Sequence, residues 1–156
     1  MAQSSSALAE PADRVLSITR TFAAPRELVF NVWTQPEHLA RWWGPKGFST
    51  PTCQMDARPG GDYRAVIRSP EGKDSVMRGH YREVVPPERL VMTFAWEDEQ
   101  GRPKHETLIT VNFEDVGGET KLTFEHGVFE SVEQRDSHRQ GWSSFLDHLG
   151  DYLTAL

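Results

Sequence analysis

The sequence has little cysteine, no long apolar run and no cluster of basic residues. The single cysteine, Cys53, excludes a disulfide within the chain and argues against a cysteine-rich metal site. No apolar stretch approaches the ~20 residues that span a bilayer, so we expect no membrane insertion. Asp and Glu number 23 against 17 Lys and Arg, giving a formal net charge of −6 at pH 7. Without a basic patch, a nucleic-acid partner is not expected.

Motifs of catalysis and of metal or phosphate binding are absent as well. The histidines lack zinc-enzyme spacing such as His-Glu-x-x-His, and no Gly-x-Ser-x-Gly elbow occurs. Cys53 lies in a predicted strand beside no basic cluster, which favours an inert thiol. The pairs Gly60-Gly61 and Gly117-Gly118 fall in predicted turns rather than at a helix start, so no phosphate loop is predicted.

We therefore expect no metal, no cofactor and no catalytic residues. Strands far apart in the sequence can still bring side chains together, and three histidines would be the candidates for such a site: His80, His126 and His138. A zinc site would need three or four convergent ligands, and a general base would need its proton within hydrogen-bond reach.

The composition is that of one globular domain. The chain has 156 residues, of which 37% are hydrophobic and 26% charged. We expect a flexible tail over residues 1–13, which are rich in Ser and Ala, and a single domain over 14–156. No basic segment precedes an apolar stretch in that tail, so no signal peptide is predicted and a cytoplasmic location is expected.

The predicted elements begin with a strand, 15–22, and two short helices. Pro25 opens the first helix, in which Leu28, Val29, Val32 and Trp33 recur at helical spacing. The second helix follows Pro36 over 37–42, and Gly44-Pro45 ends it. Strands are then predicted at 50–55, 62–68, 74–85, 89–96, 105–114 and 120–126. Their short connections favour an antiparallel meander.

A long helix over 131–155 closes the chain. Ser131 and Gln134 have the spacing of a capping box at its start. One face carries an apolar stripe made of Trp142, Phe145, Leu146, Leu149 and Leu153. His138 lies one turn earlier on the same face.

This order of elements predicts an α+β fold, in which a curved antiparallel sheet wraps around the long C-terminal helix. One helix cannot fill the concave face of a wide sheet, so a cavity is expected between them. The period-two alternation of the strands and the helix stripe predict the residues that line it: Tyr63, Tyr81, Met92, Phe94, Trp96, Phe113, Phe124, His126, His138, Trp142 and Phe145. A slip of one residue in register would move a whole strand's set to the other face.

Several segments carry a resemblance to a known family. They are 22–33 (FAAPRELVFNVW), 36–39 (PEHL), 42–45 (WWGP), 59–63 (PGGDY), 79–90 (GHYREVVPPERL), 110–114 and the pair Gly141-Trp142. Together they resemble the activator of heat-shock-protein-90 ATPase homologue-like family of the START, polyketide-cyclase and birch-pollen-allergen (SRPBCC) superfamily. The resemblance implies a helix-grip fold and an internal hydrophobic cavity, and it carries no shared catalytic constellation.

The function expected from both lines of reasoning is the binding of a small hydrophobic ligand, in a carrier, sensor or stress-response role. One alternative is a polyketide cyclase-like or hydrolase-like enzyme that uses the same pocket, with His or Arg groups polarising a substrate. Another is a module that contacts a chaperone and activates its ATPase. The protein is expected to be a monomer or a homodimer.

Overall fold

A computed structural model describes residues 11–156. A 3-10 turn, Pro11–Arg14, leads into strand β1, Leu16–Phe22. Helices α1, Arg26–Thr34, and α2, Pro36–Trp42, follow. The remaining strands are β2 (Ser49–Met55), β3 (Asp62–Arg68), β4 (Asp74–Val85), β5 (Arg89–Trp96), β6 (Thr107–Val116) and β7 (Glu119–Gly127). Helix α3, Val132–Ala155, ends the chain. Of the predicted tail over 1–13, the first ten residues lie outside the described residues.

The seven strands form one antiparallel sheet in the order β1-β7-β6-β5-β4-β3-β2. Strands β2 to β7 are a meander, as predicted, since each pairs with its neighbour in sequence. β1 pairs with the last strand, and Leu16 lies opposite His126. Because β1 and β2 form opposite edges of the sheet, α1 and α2 carry the chain from one edge to the other.

Helix α3 begins at the predicted cap. The Ser131 hydroxyl accepts a hydrogen bond from the Gln134 backbone N–H at 3.1 Å, which satisfies one free donor of the first turn. The predicted stripe faces the sheet, and Trp142, Phe145 and Leu149 are buried. Asp147, which lies outside the stripe, is exposed. The helix therefore lies against the concave face of the sheet with its apolar side inward.

One edge of the sheet holds the helix through polar contacts. Arg20 on β1 donates to the Ser143 hydroxyl at 2.8 Å and pairs with Asp147 at 2.5 Å. Arg139 donates to the backbone oxygen of Ser17 at 3.1 Å. These contacts fix the helix beside β1, so the space between the helix and the sheet widens towards β3, β4 and β5.

The short helices are anchored by aromatic side chains. Trp33 and Trp42 are buried and meet edge to face, with ring centroids 4.8 Å apart. The Trp42 indole N–H donates to the backbone oxygen of Val32 at 3.0 Å, which ties α2 to α1. Trp43 follows directly and donates to the Met77 sulfur at 2.9 Å. These contacts close one end of the sheet.

Candidate functional site: the pocket between helix and sheet

An open pocket of about 320 Å³ lies between α3 and strands β3 to β5. It has the size of the small-molecule sites found in other proteins. Its walls come from α3, the three strands and the segment after α2, and they comprise Ser137, His138, Gly141, Trp142, Phe145, Ile67, Ser75, Met77, Phe94, Trp96, Pro45 and Phe48. Most of these side chains are apolar, so the pocket can remove apolar surface from water.

His138 borders the pocket and is fully hydrogen-bonded. The Trp96 indole N–H donates to His138 Nε2 at 2.9 Å, so this nitrogen acts as an acceptor. His138 Nδ1 lies 2.8 Å from the backbone oxygen of Gln134 and donates its proton there. The ring is therefore the neutral tautomer with hydrogen on Nδ1. Burial lowers the pKa of His138, and the bond to the Gln134 carbonyl opposes this only partly.

His126 lies deeper, and both of its ring nitrogens are also hydrogen-bonded to protein groups. The Trp142 indole N–H donates to His126 Nδ1 at 2.9 Å, and His126 Nε2 donates to the Thr107 hydroxyl at 2.6 Å. The Thr107 hydroxyl in turn donates to the Phe94 backbone oxygen at 3.1 Å. Burial is the main cause that lowers the pKa of His126 well below its usual value, and the nearby His138 adds to it. This ring is the neutral tautomer with hydrogen on Nε2.

The hydrogen bonds of His126 and His138 limit the chemistry available at the pocket. Every ring nitrogen of His126 and His138 already has a protein partner, so neither ring presents a free nitrogen to a bound molecule. A general base needs such a nitrogen within hydrogen-bond reach of its proton. In this arrangement neither ring is placed to take a proton from a molecule in the pocket.

The residues predicted to line one cavity are distributed over three places. Five of them border the pocket: Phe94, Trp96, His138, Trp142 and Phe145. Tyr63, Tyr81 and Met92 border a separate void of about 10 Å³ beneath α1 and α2. Phe113, Phe124 and His126 are buried in the core and border neither space.

Trp43 separates the two spaces. Its ring packs against two wall residues of the pocket, with centroid distances of 5.3 Å to Trp142 and 5.0 Å to Phe145, so it lies directly behind that wall. It also borders the small void beneath the short helices. A single bulky side chain that follows α2 therefore lies between the pocket and the small void.

Sequence reasoning missed several pocket residues: Pro45, Phe48, Ile67, Ser75, Met77, Ser137 and Gly141. A signal for three of them was present. Ile67 continues the alternation of Tyr63 and Ala65, and Met77 stands four residues before Tyr81 on the same strand face. Gly141 lies three residues after His138, on the same helix face. No local pattern marks Pro45 or Phe48.

A second, larger concavity of about 580 Å³ lies on the outer face of β3 to β5. Tyr63 also borders this outer concavity. The walls of the concavity are mostly polar and include Arg64, Arg78 and His80. The Arg64 guanidinium is already engaged by Glu97, with bonds of 2.7 and 3.0 Å. We place the candidate site in the smaller pocket, because its apolar walls converge from helix and sheet.

The other groups considered from the sequence lie apart. His80 is on the outer face, where Nδ1 is 2.7 Å from an Asp62 oxygen, whereas His126 is in the core and His138 borders the pocket. Among residues 11–156, no three His, Cys, Asp or Glu side chains are grouped as metal ligands would be. Burial raises the pKa of the half-buried Cys53 thiol to about 11, which disfavours the reactive thiolate.

This architecture is the helix-grip fold, as predicted from the sequence. The profile of the family described as "Activator of Hsp90 ATPase homolog 1-like protein" matches residues 23–154. The chain therefore belongs to that family, which confirms the resemblance drawn from the motifs.

Among individual relatives is the human activator of 90 kDa heat shock protein ATPase homolog 1. It is 27% identical over 131 residues, which are 83% of this chain and 34% of that protein. The chain thus spans about a third of the length of this relative. The mouse protein of the same name is 26% identical over the same shares.

Solved bacterial structures cover nearly the whole chain. The AHSA1 protein of Silicibacter pomeroyi matches with a TM-score of 0.85 and 27% identity, covering 90% of this chain and 98% of that one. A protein from Nitrosomonas europaea matches with a TM-score of 0.77 and 28% identity, covering 92% and 96%. In the described part of the chain, no helix has the length and apolarity to cross a membrane.

Proposed function

We propose that the chain binds a small apolar molecule in the pocket between α3 and strands β3 to β5. The observation that carries the proposal is the pocket itself, about 320 Å³ walled mainly by aromatic and aliphatic side chains. Burying apolar ligand surface contributes ~25 cal/mol per Å², which supports useful affinity for a molecule of this size. Membership in a helix-grip family supports the proposal from a separate direction.

Gly141 offers a clean way to test the pocket. Apart from its own helix, a Cβ atom added at Gly141 would meet no atom within 4 Å, because the position faces open space at the pocket wall. A Gly141→Leu variant should therefore fill the pocket without disturbing the core. Its neighbour Gln140 is exposed and borders no part of the pocket, so Gln140→Leu is the matched control.

The measurement uses N-phenyl-1-naphthylamine, an uncharged probe that fluoresces in apolar surroundings and accepts energy from tryptophan. We expect saturable binding with quenching of tryptophan emission in the parent and in Gln140→Leu. Gly141→Leu should weaken binding at least about tenfold, equivalent to ~1.4 kcal/mol. Equal affinity in all three proteins would contradict the proposed site. If Gly141→Leu weakens binding as expected, native mass spectrometry of freshly purified parent protein would identify any natural ligand by its mass.

Contact with a chaperone is a second candidate, favoured by the similarity to the human activator. The chain matches only 34% of that protein, so any activation would have to come from this part alone. The test is to add the purified chain to purified human 90 kDa heat shock protein and measure ATP hydrolysis. A concentration-dependent rise would support this function, with the full-length human activator as positive control. An unchanged rate beside an active control would contradict it.

A further inference from the structure

The walls of the pocket between helix and sheet carry no formal charge. Within the described part of the chain, the 12 residues around it include no Asp, Glu, Lys or Arg. A charged ligand group inserted here would lose its hydration and find no ion of opposite sign. Burying an unpaired charge in this manner is strongly unfavourable.

His138 could supply a positive charge only by giving up its present bonding. Its Nε2 accepts the Trp96 N–H at 2.9 Å, and protonation of that nitrogen would place two donors against each other. Its Nδ1 proton is already directed at the Gln134 backbone oxygen. Among the described residues that border the pocket, His138 is the only titratable one, and its hydrogen bonds hold it neutral.

The indole groups offer rings rather than hydrogen bonds. Both N–H groups are consumed, that of Trp96 by His138 and that of Trp142 by His126. Phe94 stands edge-on to Trp96, with 5.3 Å between centroids and 89° between planes. On the facing helix, the ring centroids of Trp142 and Phe145 lie 4.4 Å apart. Aromatic walls from sheet and helix favour a flat aromatic partner, which can stack on one ring and meet another edge-on.

Two hydroxyl side chains provide the remaining polarity. Ser75 on β4 and Ser137 on α3 both border the pocket. Between residues 11 and 156, neither hydroxyl has a hydrogen-bond partner, unlike Ser143 and Ser144 on the same helix. Each can donate or accept one bond. Few polar groups among apolar walls are what orients a ligand in sites of this kind.

We infer that the pocket selects an uncharged, flat aromatic molecule that carries a hydrogen-bonding group at its edge. The inference rests on the proposed function, because it specifies the ligand of the same pocket. It extends that proposal by assigning selection against charge to the bonded Trp96–His138 pair and to the uncharged walls.

The test compares two probes with the same ring skeleton. N-phenyl-1-naphthylamine is uncharged, and 8-anilinonaphthalene-1-sulfonate adds one sulfonate to it. Each probe is titrated separately, and we expect the Kd of the anionic probe to be at least about tenfold larger than that of the neutral probe. Equal Kd values for the two probes, with both bindings lost in Gly141→Leu, would overturn the inference and leave the proposed function standing. Absence of binding by the neutral probe would instead overturn the proposed function.

A gain of charge tests the cause. Ser137 is exposed at the pocket wall, so Ser137→Arg should fold and place a cation beside the bound molecule. We expect this variant to bind the anionic probe about threefold or more tightly than the parent, while Ser137→Gln, which is similar in reach and uncharged, should not. An equal gain in both variants would show that charge is not the basis of selection.

Discussion

His126 shows how a buried polar side chain is accommodated when all its hydrogen-bonding capacity is used. It is fully buried, yet Trp142 donates to one ring nitrogen and Thr107 accepts from the other. The neutral ring fits this environment, and an imidazolium would not, because its second proton would face the Trp142 N–H. A buried polar group with its partners in place is tolerated, whereas a buried unpaired charge is costly.

Stability should therefore depend on pH through His126. The native pKa of His126 lies well below 6.5, its ordinary value, which the unfolded chain retains. Below pH 6.5 the unfolded state binds a proton that the native state does not. The free energy of unfolding should fall by about 1.4 kcal/mol per pH unit from this group, until the native pKa is reached.

Urea denaturation at pH 8.5, 7.5, 6.5 and 5.5 measures this slope. His126→Gln should be less stable than the parent at pH 7.5, because the hydrogen bonds to Trp142 and Thr107 are lost. Its free energy of unfolding should also decline less steeply between pH 6.5 and 5.5. Between pH 8.5 and 7.5 this group is neutral in both states, so the two proteins should differ by a constant amount there. Parallel curves over the whole range would refute the role assigned to His126.

At the scale of elements, the bounds of the central strands were predicted better than the length of one connecting loop. The observed β3, β4 and β5 have the predicted bounds, since alternation and turn residues mark both ends. The loop expected at 115–119 is instead a turn of two residues between Val116 and Glu119. Gly117 and Gly118 have φ of 68° and 89°, and consecutive positive φ values are typical of a tight hairpin turn. The strands therefore extend further than a five-residue loop allows.

The pocket was less predictable than the strands, because its shape depends on contacts between distant residues. Tyr63 and Ile67 share one strand face, but the first borders the small void and the second the pocket. What divides the two spaces is Trp43, which packs on Trp142 a hundred residues later. Local periodicity determines which face a side chain occupies, and it carries no information on such a contact.

Replacing glycine by alanine should have opposite effects on stability at two positions, Gly79 and Gly141. At Gly79 on β4, a Cβ atom would lie 2.0 Å from the Thr93 backbone oxygen and 2.8 Å from the Tyr63 ring. Gly79→Ala should thus destabilise the protein by more than about 2 kcal/mol, since backbone must move. At Gly141, in the middle of α3, the added methyl group meets nothing, so Gly141→Ala should stabilise by about 0.5–1 kcal/mol.

Urea midpoints of the two variants and the parent, measured at one pH, test both signs together. A tolerated Gly79→Ala would mean that β4 and β5 do not approach as closely as described. A destabilised Gly141→Ala would mean that the helix packs against the sheet at this point and that the pocket is closed there.

At the scale of the whole molecule, the site exists only in the folded chain. Its walls extend from Pro45 to Phe145 in sequence and are brought together from three strands, the long helix and the segment after α2. The helix is fixed on the β1 side by Arg20 and Arg139, and the pocket lies on the other side. An unfolded chain exposes apolar side chains but does not assemble them into a pocket, so a ligand of the pocket should bind the native state alone.

Binding should consequently raise the melting temperature of the protein. A ligand that binds only the native state at about 100 times its Kd stabilises it by ~2.7 kcal/mol. For a domain of this length, each kcal/mol shifts Tm by about 2–4 °C, so N-phenyl-1-naphthylamine should raise Tm by about 5–10 °C. Scanning calorimetry can follow the shift without relying on probe fluorescence. Gln140→Leu should show the same shift and Gly141→Leu almost none at the same probe concentration. If Gly141→Leu shifted as far as the parent, the probe would be stabilising the protein from a place other than the space between α3 and the sheet.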